Sequence, residues 1–326
     1  GYGIKTPKQA DQYLPYERRY QFHDVVCRGG TINGSAHGTT YNETCEDGWI
    51  YIGDCTFCQV SHIKINGSFD ISAAPFGQVE DRGVILDAAG AILTARIQDL
   101  EISTLYIGVE PIDRAFYSIM NFDIIATYRG IYQSPGATIF SEPKIGFGNI
   151  NSQDVGIYLE NCNARDIASV TIRRHPNGWP LATNDWYGVK LNNVDESNVR
   201  SCHIEHGSVT TFAGGDIIGI YADNASGALK FSDNLFGGKT DYAVILDNVS
   251  GFVIENSMLS SSTPMTYFKA TTNTRTGVLN GATSSTSTVA HVWLEDDGSV
   301  DWSTITENVR GIDRLPKEST VTIASG

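Results

Sequence analysis

The sequence predicts an all-β, single-stranded solenoid, a parallel β-helix. Three observations carry the prediction. Short hydrophobic runs alternate apolar and polar residues with the period of a strand. A unit that starts on Gly or Ala and ends on Asn recurs along the middle of the chain. The copies are spaced in the twenties and low thirties, with strand-like alternation inside each, which suits one β-coil per copy.

Four copies stand in succession: Gly156-Ile-Tyr-Leu-Glu-Asn161, Gly188-Val-Lys-Leu-Asn-Asn193, Gly219-Ile-Tyr-Ala-Asp-Asn224 and Ala243-Val-Ile-Leu-Asp-Asn248. Gly130-Ile-Tyr-Gln133 is a partial earlier copy, and Gly83-Val-Ile-Leu-Asp87 resembles another. Counted from Gly130, the starts are 26, 32, 31 and 24 residues apart. Each unit is followed by a second strand, whose first inward position is Ile167, Val199, Phe231 or Ile254 and whose later one is Ile172, Ile204, Phe236 or Leu259. No coil buries its own apolar side, so stacking is what makes a core. The recurrent Asn161, Asn193, Asn224 and Asn248 fit a sharp turn, because Asn tolerates the left-handed backbone region. At a strand spacing of ~4.8 Å their amides come within hydrogen-bonding reach up the column.

Residues 1–48 lack the repeat and are read as an entry segment and cap, since an open solenoid end exposes unpaired strand edges. The β-helix is assigned to 49–270. Residues 271–326 form a short β-rich tail, with strands expected at 289–294 and 319–324, which caps the other end or mediates assembly. The start at Gly1-Tyr2, without Met, suggests a processed or trimmed chain.

The 326 residues carry a net charge of −14, which argues against a nucleic-acid partner. No run approaches the ~20 apolar residues of a membrane span, so no membrane insertion is expected. Of the six cysteines, Cys162 and Cys202 lie in hydrophobic runs and read as core thiols. Cys27, Cys45, Cys55 and Cys58 have irregular spacing for zinc, and neither a metal nor another cofactor is expected.

Unequal coil lengths point to function. Against the 24-residue spacing from 219 to 243, the two preceding coils are longer by 8 and 7 residues. The additions fall after Ile172 and after Ile204, so residues 173–187 and 205–218 are two loops at one corner of adjacent coils. Long loops on a rigid scaffold are where binding concentrates. Trp179, Trp186 and Tyr187 offer flat faces for sugar rings, while Arg173, Arg174, His175 and His206 offer donors. Glu205, Asp216 and Asp185 supply carboxyl groups, with Glu205 the preferred acid. Glycoside hydrolysis needs two carboxyls across one bond, ~5 Å apart for retention and roughly 6.5–9.5 Å for inversion. One and two coil spacings match these separations. A second carboxylate column, Glu160, Asp223 and Asp247, precedes the ladder Asn and is the second-choice catalytic site. A lyase would use a base such as His175, His203, His206 or Tyr187, with an Arg neutralising a uronate.

These coils, the opening Gly30-Thr-Ile-Asn-Gly34, the Gly-Ile-Tyr-x-x-Asn units and the uneven loops resemble the right-handed parallel β-helix of the pectate-lyase-like superfamily. More narrowly, residues 29–270 look like the receptor-binding domain of bacteriophage tailspikes, the capsule or O-antigen depolymerases. The resemblance implies a homotrimer on a virion tail, or a secreted protein, that binds and cleaves a bacterial surface polysaccharide by paired carboxylates. Alternatives are a lyase acting on a uronate polymer and a non-catalytic adhesin. Two patterns depart from it. The Asp-Gly-x-x-Asp-Asp entry motif is absent, and Glu205-His206-Gly207 only partly matches the Gly-His-Gly of polygalacturonases.

Overall fold

The computed structural model describes residues 4–5, 25–33, 48–53, 57–75, 78, 81–87, 93–113, 115–133, 142–162, 166–177, 184–206, 214–261, 265–284, 292–296, 302–308 and 312–316. All strand pairings among them are parallel, and each strand bonds to its counterparts in the neighbouring coils. The fold is a parallel β-helix. One short 3-10 turn, Trp302–Thr304, is the only helix among the described residues.

Both inward columns expected from the repeat are present. Ile167, Val199, Phe231 and Ile254 pair in register, as do Ile172, Ile204, Phe236 and Leu259. None is more than 1% exposed. Each such side chain contributes about 1.5–3 kcal/mol relative to an exposed one, and together they join one core that runs the length of the solenoid.

Small residues at the start of the unit have a steric cause. Gly83, Gly108, Gly130, Gly156, Gly188 and Gly219 stack in successive coils, followed by Ala243. A Cβ at Gly188 would lie 2.3 Å from the Ile204 Cγ2 and 2.7 Å from the Gly219 carbonyl oxygen. Here the backbone bends inward against the next coil, and no side chain fits.

Asn161, Asn193, Asn224 and Asn248 are left-handed, with φ of 51°, 50°, 53° and 54°. Asn193 Nδ2 donates to Asn161 Oδ1 at 2.6 Å, and Asn248 Nδ2 to Asn224 Oδ1 at 2.8 Å. A second left-handed column was not visible in the repeat. It comprises His62, Asp99, Asn121, Phe147, Ser169, Ser201, Asp233, Asn256 and Gly281, with φ between 52° and 62°. These positions stack one per coil and bend each chain from one sheet face to the next.

Parallel pairing extends on both sides of the expected 49–270 span. Val25–Asn33 pairs with Phe57–Asn66, and Arg275–Ser284 continues the stack to Ile305–Asn308. Val292–Asp296, overlapping one strand expected in the tail, pairs with Ile312–Pro316; residues 319–324 lie outside the described residues. Cys58, Cys162 and Cys202 are buried; Cys45 and Cys55 lie outside the described residues.

Candidate functional site

The two loops leave the solenoid at one corner, as their spacing implies. Arg174 and His206 end paired strands, and the strands resume at Trp186 and Ile217, again in register. The Trp186 N–H donates to the Asp216 carbonyl at 2.9 Å, tying the loops together. Their middles, residues 178–183 with Trp179 and 207–213, lie outside the described residues.

Three expected sugar contacts prove to be interior groups. Trp186 is fully buried, and its indole N–H reaches the Ser152 hydroxyl at 3.4 Å. Arg174 and His206 are 1% and 3% exposed. The cause is strand parity: Ile172 and Ile204 point inward, so Arg174 and His206, two residues on, point inward too. Burial lowers the Arg174 pKa to about 10, against the opposing pull of Asp154, Asp185 and Asp241. His175 is half-buried, which lowers its pKa, and its Nδ1 accepts the Asn177 N–H at 3.2 Å.

The three first-choice carboxylates do not form one constellation. Glu205 lies on the outward face of the stack containing His203–His206, bound by Arg173 Nε at 2.6 Å and His203 Nε2 at 3.0 Å. Asp185 and Asp216 sit one rung apart on a different stack. There Asp185 works as a brace. Its Oδ1 accepts the Asp216 N–H at 2.9 Å and its Oδ2 the Tyr187 hydroxyl at 3.3 Å. Asp241, in the next coil, accepts the Ile217 N–H at 2.8 Å, and burial raises its pKa.

Tyr187 links this corner to a more extensive polar face. Outward positions in successive coils place Tyr132, Tyr158, Lys190 and Tyr221 in one column. The Tyr132 and Tyr158 rings stack with centroids 5.0 Å apart. Lys190 Nζ lies 4.4 Å from the Tyr187 ring centroid, 5.5 Å from that of Tyr221 and 5.9 Å from that of Tyr158. Such placements attract the ammonium to the ring faces. Arg129, paired with Asp154 at 2.8 Å, lies 4.1 Å over Tyr132. Burial raises the phenol pKa values of Tyr132, Tyr158 and Tyr221, and that of Tyr187 to about 12, so all four are neutral donors at ordinary pH.

Two residues further along each strand runs the second-choice carboxylate column: Glu160, Asn192, Asp223, Asp247. Asn192 Nδ2 donates to Glu160 Oε1 at 2.9 Å, and the Tyr221 hydroxyl to Asp247 Oδ2 at 3.3 Å. The Asp223 pKa is raised, first by burial and then by the neighbouring Asp247, while Lys190 opposes the shift. Asp223 and Asp247 are thus one rung apart and electrostatically unequal. Asp216 immediately precedes the strand Ile217–Asp223 that Asp223 ends, seven residues away, about 23 Å of extended chain. That exceeds the roughly 9.5 Å upper separation for a glycosidase pair, so the corner and the column are separate sites. Lys190, Tyr158 and Tyr221 were not singled out from the sequence as site residues. The signal was present, since all three occupy the third position of the repeat unit.

No family model matches the sequence, and no curated protein matches it. The fold is similar to that of DFA-IIIase from Arthrobacter chlorophenolicus A6, solved without its lid. The likeness covers 88% of this chain and 86% of that one, with a TM-score of 0.53 and 11% sequence identity. At that identity it shows a shared fold and no residue correspondences.

Proposed function

We propose that this protein binds a polysaccharide along the tyrosine–lysine face and hydrolyses a glycosidic bond between Asp223 and Asp247. The observation that carries the reading is the unequal pair itself. Asp223 has its pKa raised by burial and by Asp247, as suits a proton donor, and Asp247 one rung away accepts the Tyr221 hydroxyl. Their one-rung spacing of ~4.8 Å is near the ~5 Å of retaining enzymes. Asp223 would protonate the departing glycosidic oxygen while Asp247 attacks the anomeric carbon. Water, deprotonated by Asp223, then releases the sugar and restores both groups. Tyr187 and Tyr221 would pack against the rings. The parallel β-helix shared with the enzyme DFA-IIIase is compatible with this reading.

The tailspike resemblance supplies the finer proposal: a capsule or O-antigen as substrate, met outside the cell by a homotrimer on a virion tail. Glu205, Asp185 and Asp216 take no part in the chemistry, because Glu205 is held by Arg173 and His203 and Asp185 braces the Asp216 backbone.

One observation favours a second reading. Lys190, framed by three rings, is suited to neutralise a uronate carboxylate in a lyase. Incubation with capsule and O-antigen polysaccharides separates the outcomes. New reducing ends without ultraviolet-absorbing product support the hydrolase, and unsaturated product supports the lyase. Binding that yields no fragments after prolonged incubation sinks both and leaves an adhesin.

A further inference from the structure

We propose a second glycan-binding site, for a neutral oligosaccharide, in a cleft flanked at one end by Phe147, on a different sheet face from the tyrosines. The proposal does not depend on whether the tyrosine face cleaves anything. The cleft has a volume of about 580 Å³ and lies across four coils, where the second left-handed column bends the chain. Phe147 stands 61% exposed in it, the most exposed large hydrophobic side chain among the described residues.

Phe147 is unfavourable there on two counts. An aromatic ring faces water, and its backbone is left-handed at φ 54°, a region that bulky side chains rarely adopt. The same column holds Asn121, Asn256 and Gly281, the residue types that relieve such backbone. A residue that costs stability both ways, inside a cleft, is a candidate for function.

The groups around it fit sugar hydroxyls. Asn121 donates to Asp99, and Asn149 donates to Asp123 at 2.7 Å. Each pair comes from adjacent coils and holds its carboxylate in place. A carboxylate has about four lone-pair sites and an amide both donates and accepts, so these pairs retain capacity for vicinal hydroxyls. The flat face of Phe147 would cover the apolar side of the ring. Charge selects the class. Asp99, Glu101 and Asp123 outnumber Lys64, which is already paired with Glu101 at 2.7 Å, and His62 Nδ1 lies 3.3 Å from Asp99. A uronate would be repelled, whereas a neutral ring would not.

The test uses the full chain on an array of neutral and uronate-bearing bacterial oligosaccharides, with the best neutral hit titrated by calorimetry. Phe147→Ala and Asn149→Ala are expected to weaken that binding about tenfold or more. Phe147→Tyr should retain it, and Tyr221→Phe with Asp223→Asn on the other face should leave it unchanged. Phe147→Ala should melt no lower than the parent, because its side chain is exposed. The proposal is overturned if no neutral glycan binds, if Phe147→Ala binds normally, or if uronate glycans bind more tightly and lose that affinity in Phe147→Ala. A change in sedimentation mass for Phe147→Ala would also overturn it, since the ring would then be covering a second copy of the chain.

Discussion

The Tyr221 hydroxyl donates to the Asp247 carboxylate at 3.3 Å, while one rung away Asp223 is pushed toward its protonated form. Two aspartates in equivalent positions of adjacent coils are thereby made chemically different.

Replacing either aspartate should separate chemistry from binding. Asp223→Asn and Asp247→Asn are each expected to lower cleavage by about 10²–10⁴-fold, with affinity for the glycan little changed. Tyr221→Phe removes one hydrogen bond to a charged group and should cost about tenfold in rate. Reducing-end assays beside calorimetric binding measure both. Full activity in Asp223→Asn would remove this pair as the catalytic site.

The raised Asp223 pKa has a signed consequence for stability. The native state holds this proton more tightly than the unfolded state, so stability is greatest below the ordinary value of 3.8 and falls as pH rises through the raised value. Asp223→Asn removes that penalty. Its melting temperature at pH 7 should exceed the parent's, by about 1–2 °C, and the difference should vanish near pH 3. Cleavage, if Asp223 is the acid, should fall in the same direction as pH rises. A melting difference that grows on acidification would contradict the assignment.

Trp186 should behave as a core residue. Trp186→Ala is expected to destabilise by about 3–5 kcal/mol, seen as a lower urea midpoint, with glycan affinity unchanged in the folded protein. A variant of unaltered stability that loses glycan binding would place the ring at the surface after all.

The ladder at Asn193 combines a backbone and a side-chain contribution that two substitutions resolve. Asn193→Ala should lose about 1–2 kcal/mol to left-handed strain and about 1 kcal/mol more with the hydrogen bond to Asn161. Asn193→Gly relieves the strain and should cost less than Ala. Equal urea midpoints for Ala and Gly would mean that φ of 50° is not what selects Asn there.

What could be read from the sequence followed from regularity. The inward columns, the Asn turn and the corner where the loops leave all repeat a residue type at a fixed offset, and all are present. The second left-handed column escaped notice because its occupants run from His62 through Phe147 and Ser201 to Gly281, sharing a backbone angle and no side-chain chemistry. The site was harder for a related reason. Loop composition suggested contacts at Arg174, Trp186 and His206, but composition does not say which way a side chain faces. Strand parity does for Arg174 and His206, and all three side chains are buried. Lys190 was legible as a repeat position, but its importance comes from three rings meeting around it, and those rings are supplied by three coils and one corner.

The two left-handed columns divide each of four successive coils into arcs of very different freedom. From the Asn ladder to the second column the chain takes eight or nine residues each time: 161 to 169, 193 to 201, 224 to 233, 248 to 256. The return arc takes 14, 24, 23 and 15 residues, from 147 to 161, 169 to 193, 201 to 224 and 233 to 248. One arc is thus a gauge of nearly constant length, and the one extra residue between 224 and 233 leaves Phe231 in the core column. The other is an interchangeable cassette. Its loops can be rewritten wholesale for a new ligand while the gauge preserves the frame on which the tyrosines and carboxylates are mounted.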